Sequence, residues 1–226
     1  MGEHVTLHAS DGHELDAYVA RPAGAPLAGL VVIQEAFGVT SHIRSVADGW
    51  ARDGFLAVAP ALFDRIERGI ELGYGQEDLQ TGMALIRQGS AEDRMKDVAA
   101  ALEYARRESG KKAGIIGYCL GGSVAWLAAT RLHPDAAVGY YGSQVPTYGA
   151  EKPNAPVMLH FGADDHHIPR NEVESKVGAV HPEVPIFFYE GAGHAFNNDD
   201  RPSYNAAAAQ LARERSLDFL KKHLVG

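Results

Sequence analysis

The chain contains one cysteine, Cys119, in a glycine-rich segment whose residue types suit a nucleophile. Residues 117–122 read Gly-Tyr-Cys-Leu-Gly-Gly and lie between a strand-like apolar run and a helix-like one. Glycines beside the cysteine allow a sharp strand-to-helix turn because they carry no Cβ that would clash there. The partial positive charge at the start of the helix favours thiolate over thiol. The segment therefore predicts an exposed and reactive thiol, although an isolated free cysteine is often buried and inert.

A histidine and two aspartates complete a possible catalytic group. A nucleophilic thiol needs a base, and the base needs an acid that orients it. Asp164 and Asp165 follow one apolar run, and His194 lies in a glycine-rich loop after the next. Nucleophile, acid and histidine thus occur in the chain order of α/β-hydrolases, in which a G-x-nucleophile-x-G elbow presents the nucleophile. We expect Cys119, His194 and one of the two aspartates to form a triad.

An oxyanion hole is expected from two backbone amides. In this arrangement one amide belongs to the residue after the nucleophile, here Leu120, and the other to the loop after an earlier strand. That loop is Glu35-Ala36-Phe37-Gly38. Its carboxylate, Glu35, either faces solvent or shares the proton of the thiol.

Residues 164–167, Asp-Asp-His-His, admit a second interpretation as a metal site. Adjacent residues on an extended segment point in opposite directions, and no spaced ligand motif accompanies them. We therefore expect neither a metal nor an organic cofactor.

Strand-like runs alternate with helical patterns, which predicts an α/β fold with a mostly parallel central sheet and helices on both faces. The expected strands are residues 15–20, 29–34, 56–59, 114–118, 137–141, 157–161 and 186–189. Apolar stripes predict helices around residues 43–50, 95–105 and 120–132, and a final helix from about residue 203 that carries Leu211, Leu217, Leu220 and Leu224 into the core. Residues 63–88 are the least regular and are expected to form a loop-and-helix excursion near the site.

Composition restricts the possible partners. The 226 residues suit a single domain over 1–226, and the formal charge of −8 disfavours nucleic acid and anionic membranes. One cysteine cannot form an internal disulfide, which favours a reducing compartment. No secretory signal or bilayer-length apolar run is visible. We expect a cytoplasmic protein, with a monomer favoured and a small-molecule substrate.

Five segments resemble the dienelactone hydrolase (carboxymethylenebutenolidase) family, and the resemblance runs from about residue 10 to residue 220. They are residues 34–38, 117–122 and 137–142, Asp165-His166 with Pro169, and residues 193–196. The resemblance implies an α/β-hydrolase fold with Cys119 as nucleophile and His194 as base. It selects Asp165 over Asp164, because the acid of the family is followed by a histidine and, three residues later, a proline.

The resemblance also assigns the oxyanion hole to the Ala36 and Leu120 amides. It implies that Glu35 partners the resting thiol and moves away when substrate binds. We assign Phe37 and Asn198 to substrate binding. Asn198 is a departure, since the family has an arginine four residues after the triad histidine. A second family arginine aligns with Leu79, and other arginines such as Arg65, Arg68 or Arg87 are candidates to replace the pair.

The leading hypothesis is a hydrolase of lactones or esters that acts through a thioester on Cys119. The alternative is a non-catalytic small-molecule-binding protein on the same fold. A redox sensor ranks last, because no second cysteine is present to resolve an oxidised thiol.

Overall fold

One eight-stranded sheet forms the centre of the molecule. The computed structural model describes residues 2–225. Strands β1 to β8 are Glu3–His8, Glu14–Ala20, Ala28–Ile33, Phe55–Pro60, Ala113–Tyr118, Ala137–Tyr140, Val157–Gly162 and Ile186–Tyr189. Across the sheet their order is β1-β2-β4-β3-β5-β6-β7-β8. The pairs β1–β2 and β2–β4 are antiparallel, and all other neighbouring strands are parallel.

The central strands form where the sequence is continuously apolar. Every residue of β3, β4, β5, β6 and β7 is buried, as expected for parallel strands covered on both faces. The seven expected strands are confirmed, with each end within one residue of its predicted position. The edge strand β1 was not among them, because only Leu7 of its six residues is buried.

Helices cover both faces of the sheet. Helices α1 to α6 are Ser41–Arg52, Gln76–Gln88, Ala91–Ser109, Leu120–Arg131, Arg170–Val173 and Ala206–Leu224, and α5 continues as a π-helical turn over Glu174–Gly178. On one face α3 packs against α4. On the other face α1 meets α6, where the guanidinium carbon of Arg213 lies 4.4 Å from the centre of the Trp50 ring system. Within residues 2–225 no helix has the length and apolar character of a bilayer-spanning segment.

Two expectations for the final helix need correction. The helix begins at Ala206, with Asn205 as its N-cap, rather than near residue 203. Leu211 is 41% exposed and does not enter the core, and Leu217 is only partly buried. The inward stripe instead runs through Ala208, Ala212, Ser216, Leu220 and Leu224. Leu211 precedes that stripe by one residue, which on a helix turns its side chain about 100° away.

The excursion over residues 63–88 consists of turns followed by α2, and it reaches the expected oxyanion loop. Gly82 of α2 packs so closely against the carbonyl of Ala36 that a Cβ at this position would overlap the Ala36 oxygen. This close approach holds the start of the loop after β3 against α2.

The turn from β5 into α4 depends on a similar close approach at Gly121. A Cβ there would lie under 3.0 Å from the carbonyl oxygens of Ile33 and Gln34. The amide of Gly121 donates to the Gln34 oxygen at 3.0 Å. Helix α4 therefore begins in direct contact with the carboxyl end of β3.

Replacing Gly121 with alanine should lower the free energy of unfolding by about 1–3 kcal/mol, because the added methyl must displace backbone rather than side chain. Urea denaturation measures the change. Gly24→Ala is the matched control, since open space surrounds Gly24, and it should be close to neutral. Equal stability of the two variants would show that α4 does not need this close contact.

Candidate active site

Cys119 occupies a strained turn between β5 and α4. Its backbone has φ 54° and ψ −112°, which is unfavourable for a residue with a Cβ. Hydrogen bonds hold this conformation: the Cys119 amide donates to the Tyr140 carbonyl at 3.0 Å, and the Cys119 carbonyl accepts from Gly122 and Ser123 at 3.0 and 3.3 Å. The side chain remains partly exposed. These hydrogen bonds maintain the strained backbone, which presents the sulfur at the carboxyl end of the sheet.

Cys119, His194 and Asp165 form a continuous chain of contacts. His194 Nε2 lies 3.3 Å from Cys119 Sγ, and His194 Nδ1 lies 2.7 Å from Asp165 Oδ2. The other carboxylate oxygen of Asp165 accepts a hydrogen bond from the His167 amide at 2.9 Å. Asp165 is buried, whereas Asp164 is exposed and makes no side-chain contact with the histidine. The structure therefore brings together Cys119, His194 and an aspartate, and the aspartate that contacts His194 is Asp165 rather than Asp164.

The contacts of His194 favour its protonated form. Burial alone would lower the pKa of His194. The hydrogen bonds to Asp165 and Cys119 outweigh burial and raise this pKa to about 10. Burial would likewise raise the pKa of Asp165, but the hydrogen bond from His194 and its charge hold that pKa below its ordinary value. An imidazolium is therefore stabilised between a carboxylate and the sulfur, which is the charge arrangement a thiolate nucleophile requires.

The backbone amides of Ala36 and Leu120 are the pair expected to form an oxyanion hole. The loop after β3 is tied to the start of α4 by the Gly121–Gln34 hydrogen bond, which brings Ala36 and Leu120 to the same edge of the sheet. Neither amide donates a hydrogen bond within residues 2–225, although both residues are buried. Buried amides are nearly always paired, so two unpaired ones at the edge where Cys119 lies are suited to bind developing negative charge.

Glu35 lies in the site but contacts a different partner from the one expected. The resemblance implied a resting contact with the thiol, yet Glu35 Oε2 accepts a hydrogen bond from Asn198 Nδ2 at 2.8 Å, and the sulfur contacts His194 instead. Glu35 differs from the expectation because its carboxylate is hydrogen-bonded to the side chain of Asn198. Glu35 is 2% exposed, and burial raises its pKa above the ordinary value.

The assignment of Asn198 to substrate binding also needs correction. Asn198 is fully buried, and its side-chain amide donates both to Glu35 and to the Tyr74 hydroxyl, the latter at 3.1 Å. Its Oδ1 accepts from the Asp200 amide at 3.0 Å. With both donors used inside the protein, Asn198 tethers Glu35 and has no donor left for a ligand.

Arg201 is a positively charged residue of the site that sequence reasoning missed. Its guanidinium carbon lies 5.5 Å from the ring centre of Phe37 and 5.1 Å from that of Tyr74, and the two rings meet edge to face at 4.9 Å. No carboxylate within residues 2–225 forms an ion pair with it. Phe37, which the sequence analysis assigns to substrate binding, is 4% exposed, and the guanidinium of Arg201 lies over its ring. Arg201 follows His194 by seven residues, a spacing that no motif signals.

The arginines proposed from sequence lie elsewhere. Arg65 pairs with Asp97 and Asp11, at 2.8 and 2.9 Å, so its charge is already neutralised. Arg68 donates to the Glu14 carbonyl at 2.5 Å. Arg87 is an exposed residue of α2. Leu79, at the position of the second family arginine, is 43% exposed.

The segment Asp164-Asp165-His166-His167 does not converge on one point. Within residues 2–225 no group of three or more histidine, cysteine, aspartate or glutamate side chains is arranged to hold a metal ion. The carboxylate of Asp165 is instead hydrogen-bonded to His194.

Comparisons with known proteins find similarity along nearly the whole chain. The model of the dienelactone hydrolase family matches residues 15–224. The carboxymethylenebutenolidase of Pseudomonas putida is 37% identical over 229 residues, covering 97% of this chain and 96% of that protein. A crystal structure from Klebsiella pneumoniae, described as a dienelactone hydrolase, is 30% identical, with a TM-score of 0.84 and coverage of 98% and 99%. A dienelactone-hydrolase-like phosphotriesterase from metagenomic libraries, 20% identical with a TM-score of 0.76 and 99% coverage of both chains, shares the fold.

Asp165→Asn should lower the pKa of His194 from about 10 by about one to three units, because the variant removes the carboxylate that stabilises the imidazolium. Histidine NMR titration measures the shift, with the His194 resonance identified by its absence in His194→Gln. Asp164→Asn is the matched control and should leave the titration unchanged. A shift in the control but not in Asp165→Asn would reverse the assignment of the acid.

Proposed function

The chain belongs to the dienelactone hydrolase family and is a hydrolase of carboxylic esters or lactones, and from this premise we propose that it works through a thioester formed on Cys119. The observation that carries the proposal is the 3.3 Å contact between Cys119 Sγ and His194 Nε2 at a strained strand-to-helix turn. A non-catalytic binding protein is not favoured, since the similar proteins are hydrolases.

In the first half-reaction the thiolate of Cys119 attacks the carbonyl carbon of the substrate. A carbon–sulfur bond forms, the bond from that carbon to the leaving oxygen breaks, and His194 gives its proton to the leaving oxygen. In a lactone that oxygen stays attached to the acyl group through the opened ring. Asp165 keeps the imidazole in the orientation that both proton transfers require.

In the second half-reaction water cleaves the thioester. The oxygen of the water attacks the acyl carbon while His194 takes a proton from the same water. The carbon–sulfur bond then breaks. The proton returns to the sulfur, and the products are a carboxylic acid and a free thiol. The amides of Leu120 and Ala36 stabilise the oxyanion in both halves, because the charge develops on the same carbonyl oxygen each time.

Glu35 is proposed to exchange a proton with the thiol between turnovers. It is a buried carboxylate on the loop that carries the Ala36 amide, and among the described residues 2–225 only the neutral side-chain amide of Asn198 hydrogen-bonds to that carboxylate. Burial raises the pKa of Glu35, which favours the protonated form that can return a proton to the thiolate.

We further propose that the substrate carries a carboxylate, which Arg201 binds. The guanidinium lies over two aromatic rings and is not paired with any carboxylate within residues 2–225. Burial raises the pKa of Glu35, and the charge of Arg201 partly opposes that rise. A planar guanidinium with unused donors suits bidentate recognition of a carboxylate. In this chain Arg201 would take over the task of the family arginines that Asn198 and Leu79 replace.

Cys119→Ala and His194→Ala should each reduce kcat by at least about 10⁴-fold, because nucleophile and base act as a unit. Turnover of an aryl ester and a lactone measures the loss. His133→Ala, which alters an exposed histidine, is the matched control and should keep full activity. Normal turnover by the Cys119 variant would exclude the thioester route.

Arg201→Ala should raise KM about tenfold to a hundredfold for an ester that carries a carboxylate, because a charged hydrogen bond is lost. An uncharged ester of the same size should be hydrolysed as before. Arg87→Ala, on the exposed face of α2, controls for net charge and should change neither substrate. Equal effects of Arg201→Ala on both esters would argue against a carboxylate subsite.

A further inference from the structure

Three residues other than glycine have a positive φ within residues 2–225, and all three lie at the candidate active site. They are Cys119 at 54°, Tyr141 at 37° and Ala195 at 61°. Left-handed backbone is unfavourable for a residue with a Cβ and persists only where the surrounding structure enforces it. The strand-to-helix turn accounts for Cys119. Tyr141 and Ala195 have no part in the proposed mechanism, so their strained backbone needs a separate reason.

Tyr141 is a buried residue in contact with His194. It follows β6 directly and is fully buried. Its amide donates to the carbonyl of His160 in β7 at 2.7 Å. Its ring centre lies 5.0 Å from that of His194 and 5.7 Å from that of Phe196. Because Tyr141 is fully buried, it is not accessible to a substrate and acts on the site only through the residues that it contacts.

The hydroxyl of Tyr141 fastens the loop that carries His194. It donates a hydrogen bond to the side-chain oxygen of Asn197, three residues after His194. The positive φ of Ala195 lies between these contacts, and residues 194, 196 and 197 all meet the same tyrosine. The histidine loop is therefore packed around one side chain, whose backbone is hydrogen-bonded to β7.

Two aromatic rings border the imidazole of His194. The ring of His167 stands at 86° to it, with 5.7 Å between the ring centres, and His167 is exposed. Tyr141 is the buried one of the two, and its amide is held by the central sheet. Asp165 and Cys119 contact the two nitrogens of the imidazole. Of the groups around His194, Tyr141 is thus the one that links the face of the imidazole to the sheet.

We propose that Tyr141 is a positioning residue, which supports the imidazole of His194 with its ring and holds the loop of His194 with its hydroxyl. Together the two contacts keep Nε2 at hydrogen-bond distance from the sulfur of Cys119. The consequence for turnover rests on the proposed function, in which His194 transfers protons during catalysis. The geometric relation between Tyr141 and His194 does not depend on that function.

The hydroxyl of Tyr141 can be removed without a change in charge. Burial raises the pKa of Tyr141 well above its ordinary value, so the hydroxyl is neutral at the pH where His194 titrates. Tyr141→Phe therefore deletes a hydrogen bond and no charge. A change in the pKa of His194 in this variant reports a change in the contacts with Asp165 and Cys119, which raise that pKa.

Tyr141→Phe should lower the pKa of His194 from about 10 by about one unit, because the contacts that raise this pKa loosen. It should reduce kcat for an aryl ester about tenfold and leave KM nearly unchanged, since a misplaced base slows the chemical step without weakening binding. Histidine NMR titration and steady-state kinetics measure the two effects. Tyr18→Phe is the matched control, because Tyr18 is a buried tyrosine whose hydroxyl donates to Asp48 at 2.8 Å. It should change neither the pKa nor kcat.

Asn197→Ala removes the same hydrogen bond from its other end, and it decides the matter if Tyr141→Phe fails to fold. It should reproduce both effects, and the double variant should show no more than either single variant, because the two remove one interaction. An unchanged pKa of His194 in both single variants would overturn the proposal, and so would a lowered pKa with unchanged kcat. Equal effects of Tyr18→Phe would overturn it as well. Normal turnover by Cys119→Ala would refute the proposed function instead, and the titration of His194 would still decide whether Tyr141 positions it.

Discussion

At Cys119 strand β5 turns directly into α4, and the crowded backbone around this turn constrains the whole site. The residue adopts φ 54° and ψ −112°, while Gly121 and Gly122 bring α4 against the carboxyl ends of β3 and β6 so closely that a Cβ at either position would overlap a carbonyl. The sulfur, the Leu120 amide and the Ala36 amide therefore depend on contacts between backbones. Close backbone contacts of this kind restrict movement of α4 against the strands, and rigidity is what electrostatic stabilisation of an oxyanion needs.

Charge around this rigid centre is concentrated in one imidazole–carboxylate pair. Asp165 and His194 form this pair beside the sulfur. The loop after β8 contributes His194 as well as Asn198, so one segment positions both the imidazole and the amide that holds Glu35. A displacement of this loop would alter the surroundings of the thiol and of the carboxylate together.

The sequence predicts the fold well because the parallel strands are continuously apolar. It predicts that Cys119, His194 and Asp165 lie together because an elbow motif and two strand ends carry them. Contacts between distant segments could not be predicted. The resting partner of Glu35 depends on Asn198, which lies 163 positions later in the chain and has no motif that indicates the contact. Arg201 reaches the site only because its guanidinium packs on Phe37 and Tyr74. Leu211 lies on the outer face of α6, although its apolar side chain alone predicted a place in the core.

The central claim is that Cys119 carries the acyl group during turnover, and the most direct test is to find that group. Rapid acid quenching in the first turnover of an aryl ester, followed by peptide mass analysis, locates the modification. The account predicts an acyl mass on the peptide that contains Cys119, removable by hydroxylamine as a thioester is. A first-turnover burst of product with Cys119 unmodified and the acyl group on another side chain would contradict it.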